Sequence, residues 1–237
     1  MNKTNVDLSG IDTVILAGGL GIRLQSVLKD KPKCLALING RPFIDILLDD
    51  CINQGLRRFI LCVGYLKEQV IEYLSNRDDC EIIYSEEEDL LGTGGAVKNA
   101  NHIIYSDNFI VMNGDTFIDI DYKDWYNNLT DLESIAICNK RLNNKSYGTV
   151  VLDKYGKIIS FIEKSNNLKT NCFVNTGRYI LSKQTLNEIP TGKNYSIEYQ
   201  LFPKLIKNRI IGSYCVNKDL IDIGTPERYN KAQELLK

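Results

Sequence analysis

The feature that most limits what this chain can become is a short β-rich run that ends abruptly in glycine. Thr13-Val14-Ile15-Leu16-Ala17 passes directly into Gly18-Gly19, and Gly21 follows two residues on. Such a run is too short for a helix and reads as a buried strand entering a tight loop. Paired glycines let the backbone turn sharply and leave amide N–H groups free to face anionic oxygens. Arg23, Lys31 and Lys33 add fixed positive charge to the same loop. Pro32 restricts Lys31 to extended conformations just before Lys33. In its physics this is a phosphate-handling loop.

The same grammar recurs downstream. Strands are expected at Arg58–Val63, at Glu81–Ser85 and at Phe109–Met112, with helical patterns between them at Pro42–Cys51, Lys67–Leu74 and Ala96–Ala100. Strands and helices alternating at this spacing predict βαβ units and a mostly parallel sheet with helices on both faces. Ligands of such sheets sit outside the carboxyl ends of the strands. The first glycine loop, the cluster Gly92-Thr93-Gly94-Gly95 and the turn Asn113-Gly114-Asp115 all follow predicted strands. They are expected to share one edge.

Beyond residue 120 the pattern changes. Gly148–Glu163 alternates around Asp153-Lys154-Tyr155-Gly156-Lys157, a hairpin signal. Strands are expected at Ser134–Cys138, Phe173–Leu181 and Ile210–Val216. A helix is expected over Ser196–Lys207. Thr225 and Pro226 read as the cap and first position of a terminal helix. The expectation is a single unit over residues 1–237. Its nucleotide-binding half spans about 12–120, and a more antiparallel half over about 121–237 closes on a second substrate.

Composition removes several function classes. The net charge of −1 lacks the basic excess of a general nucleic-acid binder. Seven scattered cysteines form no CxxC pair, which favours reduced core thiols over a metal or disulfide framework. His102 is the sole histidine, so His-dependent triads and multi-His metal sites are difficult to build. No apolar run of about 18 residues and no signal-peptide pattern is visible, so a cytoplasmic protein without membrane contact is expected.

Six blocks now read together. Leu16–Lys33 with Gly40-Arg41-Pro42 resembles the N-terminal signature of the sugar-1-phosphate nucleotidyltransferases. The resemblance continues, in the same order, through Leu91-Gly92-Thr93-Gly94-Gly95-Ala96, Asn113-Gly114-Asp115, Phe161-Ile162-Glu163-Lys164, Asn175-Thr176-Gly177 and Asp222-Ile223-Gly224-Thr225-Pro226. Within that family the LGTGGA and DIGTPE blocks and the short chain look most like the bacterial D-glycero-D-manno-heptose 1-phosphate guanylyltransferases. The implied fold is α/β, a Rossmann-like mixed sheet flanked by helices with an antiparallel sugar-binding portion. The implied reaction joins a nucleoside triphosphate (GTP in the nearest subfamily) to a sugar 1-phosphate, with release of pyrophosphate. The product would be GDP-heptose, a precursor for capsule or surface polysaccharide.

The resemblance also implies roles. Arg23 would grip the triphosphate and the departing pyrophosphate, and Lys33 the α-phosphate and incoming phosphate. Leu16, Ala17, Gly18, Gly19, Gly21, Glu87, Gly92, Thr93, Gly94, Asn113 and Gly114 would form the nucleotide side. Tyr147, Gly148, Glu163, Lys164, Asn175, Gly177 and Glu198 would form the sugar-phosphate side. Asp115 and Asp222 would hold Mg²⁺, which binds through one or two carboxylates plus substrate phosphates. Glu86 or Glu87 could accept from guanine N1–H and N2. The partners are thus an NTP and a sugar 1-phosphate, with room for a homodimer and no role for nucleic acid. Each residue also has a plainer use: a tight turn for the glycines, a cap for Asp115 or Asp222, a solvated ion for Lys33 or Glu87.

Two departures from the broader hexose pattern stand out. Gln25-Ser26-Val27 replaces the common proline and threonine after Arg-Leu, and Ser165 replaces the proline after Glu-Lys. Both leave the charged groups intact and bear on the sugar. A uridylyl-, cytidylyl- or guanylyltransferase for another sugar phosphate is the alternative within the class. A non-catalytic regulatory homologue should have lost Arg23, Lys33, Asp115 or Asp222, and all four are present. An NAD-binding Rossmann enzyme would need a third glycine where this chain has none.

Overall fold

In the computed structural model the described residues are 6–138, 147–162, 172–208 and 211–236. The elements in chain order are β1 (Asp12–Leu16), α1 (Gln25–Leu28), β2 (Leu37–Ile38), β3 (Arg41–Pro42), α2 (Phe43–Asn53), β4 (Arg58–Val63), α3 (Lys67–Leu74), β5 (Glu81–Glu86), α4 (Gly92–Asn99) and β6 (Asn108–Asn113). There follow β7 (Thr116–Phe117), α5 (Tyr122–Asn127), β8 (Glu133–Cys138), β9 (Thr149–Leu152), β10 (Ile158–Ile162), β11 (Cys172–Ser182), α6 (Phe202–Asn208), β12 (Ile211–Val216), β13 (Ile221–Asp222) and α7 (Pro226–Leu235).

The main sheet runs β10-β9-β11-β6-β1-β4-β5, with β8 pairing β11 and β12. Strands β6, β1, β4 and β5 are parallel, as the alternation requires. Strand β11 runs antiparallel to β6, β8 and β9, and so joins the parallel part to the antiparallel part. The sheet is mixed even there, because β12 lies parallel to β8.

Both faces are covered, so the strands are apolar on both sides. On β1, Ile15 joins a core cluster with α2 and α3 residues such as Leu48 and Val70. Its neighbour Val14 points the other way, into a cluster with Val97 of α4 and Phe202 of α6. In α2 the apolar positions Phe43, Ile44, Leu47, Leu48 and Cys51 lie on one stripe and are all buried. Each such side chain stabilises by roughly 1.5–3 kcal/mol on burial.

Three elements differ from their expected form. Helix α4 begins at Gly92, inside the glycine cluster rather than after it. The stretch after Ser196 opens with a π-type turn, Ile197–Leu201, before α6. Pro203 explains it: the ring has no N–H to give the Tyr199 carbonyl and crowds it, and a wider turn relieves the clash. Helix α5, capped by the Asp121 side chain on Asp124 N, has no counterpart among the expected helices. Thr225 and Pro226 take the places expected of them at the start of α7.

Candidate active site

The carboxyl ends of β1, β5 and β6 meet at two adjoining cavities. The larger, about 530 Å³, is lined by Ala17, Gly21, Arg23, Lys33, Gly114 and Gly224 among others. The smaller, about 260 Å³, is lined by Gly18, Glu87, Gly92, Thr93 and Asn113 among others. Leu16, Gly19, Leu90 and Asp115 belong to both walls. Residues up to about a hundred positions apart thus share one edge of the sheet, as strand order requires, and Gly224 joins them from the separate β7–β13 pair.

The charged groups converge on Gly224. A methyl group placed on that glycine would lie 2.7 Å from Asp222 Oδ1, 3.3 Å from Lys33 Nζ and 3.5 Å from Arg23 Nη2. Lys33 Nζ donates to Asp115 Oδ2 in a partly buried ion pair. Arg23 is exposed and, among the described residues, makes no ion pair. A free guanidinium over a cavity is available to an incoming polyanion.

Asp115 and Asp222, 107 positions apart, are joined through the backbone. Strands β7 and β13 pair with Asp222 opposite Thr116, and Ile223 N donates to Asp115 O at 3.0 Å. Asp222 is held at both oxygens, by Gly224 N at 2.5 Å and by Arg228 Nη1 at 3.2 Å. Among the described residues no group of three or more His, Cys, Asp or Glu is placed to hold a metal. Among the described residues the carboxylates on offer here are two, Asp115 and Asp222. That donor set fits Mg²⁺, which takes its other oxygens from water and phosphates, and does not fit a closed structural zinc site.

Of the two candidate glutamates, the structure separates one from the other. Glu86 is exposed and pairs with Lys67 at 2.7 Å. Glu87 lines the smaller cavity, where its Oε1 would lie 3.1 Å from a methyl on Gly18. Burial pushes its carboxyl up, opposed by the hydrogen bond from Leu91 N at 3.2 Å. Cys34 also lines the larger cavity, but burial pushes its thiol up to about 12, which removes it as a thiolate nucleophile.

The second glycine cluster is only partly in the site. Gly94 and Gly95 lie under the segment 193–197: added methyls would sit 2.9 Å from Tyr195 Cδ1 and 2.5 Å from Lys193 O. Their amides donate to Tyr195 O at 2.8 and 3.0 Å. Thr93 lines the cavity, yet its hydroxyl donates to Glu198 Oε2 at 2.7 Å and accepts from Ile197 N at 2.9 Å. Glu198 also accepts from Ser196 Oγ at 2.8 Å and Tyr179 OH at 3.1 Å. Tyr179 OH in turn accepts from Asn175 Nδ2 at 2.9 Å. Glu198 thus links the glycine helix to β11.

On the antiparallel side, Gly177 has φ +72°, and a side chain there would lie 2.5 Å from Asn113 Nδ2. The irregularity in β11 between Asn175 and Tyr179 therefore presses Asn175-Thr176-Gly177 onto the Asn113 turn. Gly148 O accepts from Asn175 N at 2.9 Å. Tyr147 lies under the Arg228 guanidinium, 4.2 Å from ring centroid to Cζ. Burial first, then the charge of Asp222, pushes its phenol up to about 12. Glu163 and Lys164 lie outside the described residues.

Two arginines were not found by sequence reasoning. Arg178 is 1% exposed and donates to Thr116 O at 2.5 Å, Thr116 Oγ1 at 3.1 Å and Asn113 O at 3.2 Å, so it staples the turn that carries Asp115. A lone arginine inside the apolar run Cys172–Ser182 was the available signal. Arg228, at the third position of α7, gave no comparable signal.

The family model described as Nucleotidyl transferase matches residues 12–237. A D-glycero-alpha-D-manno-heptose 1-phosphate guanylyltransferase of Campylobacter jejuni is 37% identical over 224 residues, 92% of this chain and 97% of that protein. The protein of that name from Aneurinibacillus thermoaerophilus is 31% identical over 229 residues, 95% of this chain and 98% of that one. Among solved structures, HddC from Yersinia pseudotuberculosis superposes with a TM-score of 0.84 at 36% identity, covering 96% of this chain and all of that one. It has also been solved complexed with GMP-PN. With the family model spanning the two cavities and every charged group around Gly224, this chain belongs to the nucleotidyl transferase family.

Proposed function

We propose that this protein transfers GMP from GTP to D-glycero-alpha-D-manno-heptose 1-phosphate, giving GDP-heptose and pyrophosphate. The observation that carries the reading is the convergence of Arg23, Lys33 and Asp222 at Gly224, with Asp115 bound to Lys33. An oxygen of the sugar phosphate attacks the α-phosphorus of GTP; the new P–O bond forms as the bond to the bridging β-phosphate oxygen breaks. The attacking phosphate is already ionised near neutral pH, so positioning and charge stabilisation carry the reaction. Lys33 leaves Asp115 for the α-phosphate and the incoming phosphate, and Arg23 takes charge developing on the pyrophosphate. Asp115 and Asp222 hold Mg²⁺, which when bound supplies further neutralisation of the phosphate oxygens.

Glu87 supports the choice of base. A half-buried carboxylate on the wall of the smaller cavity suits the two adjacent donors of guanine, N1–H and N2. The Campylobacter and Aneurinibacillus relatives both carry the guanylyl group and the heptose 1-phosphate in their names. The nucleotide half ends near residue 120, and the sugar phosphate lies between the Asn113 turn and Tyr147. Among the described residues no helix is long and apolar enough to cross a membrane, in keeping with the cytoplasmic placing we infer.

The test is pyrophosphate release by the purified protein across four nucleoside triphosphates and a panel of sugar 1-phosphates, with and without Mg²⁺. GTP with the heptose phosphate should give the highest kcat/KM, and chelation should abolish it. Preference for another base or sugar overturns the substrate assignment. Turnover indifferent to chelation removes Asp115 and Asp222 as metal ligands.

A further inference from the structure

Each carboxylate proposed to hold metal is already gripped by one cation, and only one of those cations has a place in the reaction above. Lys33 grips Asp115, and Arg228 grips Asp222. Arg228 does a second thing: its guanidinium carbon lies over the Tyr147 ring, 4.2 Å from the ring centroid. A planar guanidinium can stack through its face while donating in its plane, which a lysine ammonium cannot do.

Local sequence aims this side chain. Thr225 caps α7 and accepts from Arg228 N at 3.4 Å, and Tyr229 N donates to Thr225 O at 2.8 Å. The Arg228 side chain therefore starts from a fixed first turn and reaches back to Asp222. Arg228 and Asp222 are 19% and 13% exposed, so solvent screens the pair only partly.

Simple docking of α7 does not account for Arg228. The helix is already fixed by Ala232 in a cluster with Phe43 and Leu47, with Tyr229 packed against it. It is also tied by Tyr229 OH to Leu37 O at 2.6 Å and by Asn39 Nδ2 to Gln233 O at 2.9 Å. Neither Arg228 nor Tyr147 lines the two cavities, so the pair lies to one side of the nucleotide.

We propose that Arg228 is a positioning residue for the sugar-phosphate side of the site, holding the Tyr147 ring and the Asp222 carboxylate in fixed relation. The proposal rests on the reading of Tyr147 as part of the sugar-phosphate wall. It predicts that Arg228 sets the KM for the sugar phosphate and leaves the KM for GTP alone.

The experiment compares full-length wild type with Arg228→Met, Arg228→Lys, Tyr147→Ala, Tyr147→Phe and the double variant Arg228→Met/Tyr147→Ala. Initial rates are measured with GTP and D-glycero-alpha-D-manno-heptose 1-phosphate, each varied in turn, alongside thermal melting. Arg228→Met should raise the sugar-phosphate KM about 10-fold or more, with the GTP KM within about twofold. Tyr147→Ala should do the same, and the double variant should add little, as expected for two groups acting as one. Arg228→Lys should fall between wild type and Arg228→Met, and Tyr147→Phe should lose less than Tyr147→Ala because the ring remains.

An unchanged sugar-phosphate KM in Arg228→Met, equal rises in both KM values, or full additivity in the double variant overturns the inference. A rise in KM that tracks a lowered melting temperature across the set does the same. Wild type that turns over no sugar phosphate overturns the reaction itself, and this inference with it. Active wild type with a silent Arg228→Met overturns the inference alone.

Discussion

Two glycine clusters border the smaller cavity and do different work. In the first, Gly19 has nothing within 4 Å of where a side chain would begin, and Gly21 adopts φ +60° beside Lys33. Gly19 and Gly21 leave room and backbone amides for a ligand, while Gly18 packs against the backbone of Val63 and Gly64. In the second, Gly94 and Gly95 press against the backbone and ring of 193–197, and their amides are bonded to Tyr195. Those glycines leave room for the protein itself. Within the second cluster Gly92, with φ +69°, combines the two by lining the smaller cavity. A glycine in a motif marks a close approach; it does not say what approaches.

The comparison can be broken most decisively at the first cluster's charges. Lys33→Ala or Arg23→Ala should lower kcat/KM by two to three orders of magnitude, about 3–4 kcal/mol of transition-state stabilisation, with melting little changed. A rate within threefold of wild type would remove the residue from the mechanism. Next is Gly95→Ala. Alanine gains about 1 kcal/mol of helix propensity over glycine. Here its methyl would meet the Lys193 carbonyl at 2.5 Å and Leu91 Cβ at 2.9 Å, neither the end of a flexible side chain. Overpacking wins, and denaturant titration should show a net loss of about 2 kcal/mol. A more stable variant would mean the second cluster is not packed as described.

A smaller effect is expected at Glu87→Gln. The amide keeps an acceptor for Leu91 N and removes a half-buried charge, so stability should hold while the KM for GTP rises about 5–10-fold. No change would free Glu87 from base recognition. The smallest effect belongs to Gly19→Ala, which should alter stability by less than about 0.5 kcal/mol. Its kinetic effect, if present, should appear in the nucleotide KM, and a clear fall in melting temperature would erase the contrast with Gly95.

Which parts of this were legible follows the same division. Local features were readable because they depend on neighbours: β4 and α3 have the expected bounds, and Thr225 caps where a threonine before proline should. Strand order placed Asp115 at the edge, in the turn after β6, whereas its meeting with Asp222 was implied only by the resemblance, because β7 and β13 are two residues each and form a sheet of their own. What Gly95 does could not be read, because its partner is Lys193, 98 positions on. Arg178 escaped notice because its partners are the backbone and hydroxyl of Thr116, which no pattern in the strand announces. Arg228 escaped because its ring partner, Tyr147, comes 81 positions earlier. Helix α5 escaped because its few turns carry too little periodic signal.

The antiparallel seam has a consequence for biosynthesis. The far edge of β6 is covered by β11, whose pairing residues Arg178–Ser182 emerge from the ribosome long after Asn113. At roughly 5–20 residues per second, about 70 intervening residues leave that edge uncovered for some 3–14 s. An open edge of apolar residues, Phe109 to Met112, is a template for pairing with another nascent chain. Synthesis speed across the stretch between β6 and β11, more than the stability of the finished sheet, should govern how much of this protein reaches its folded form at high expression.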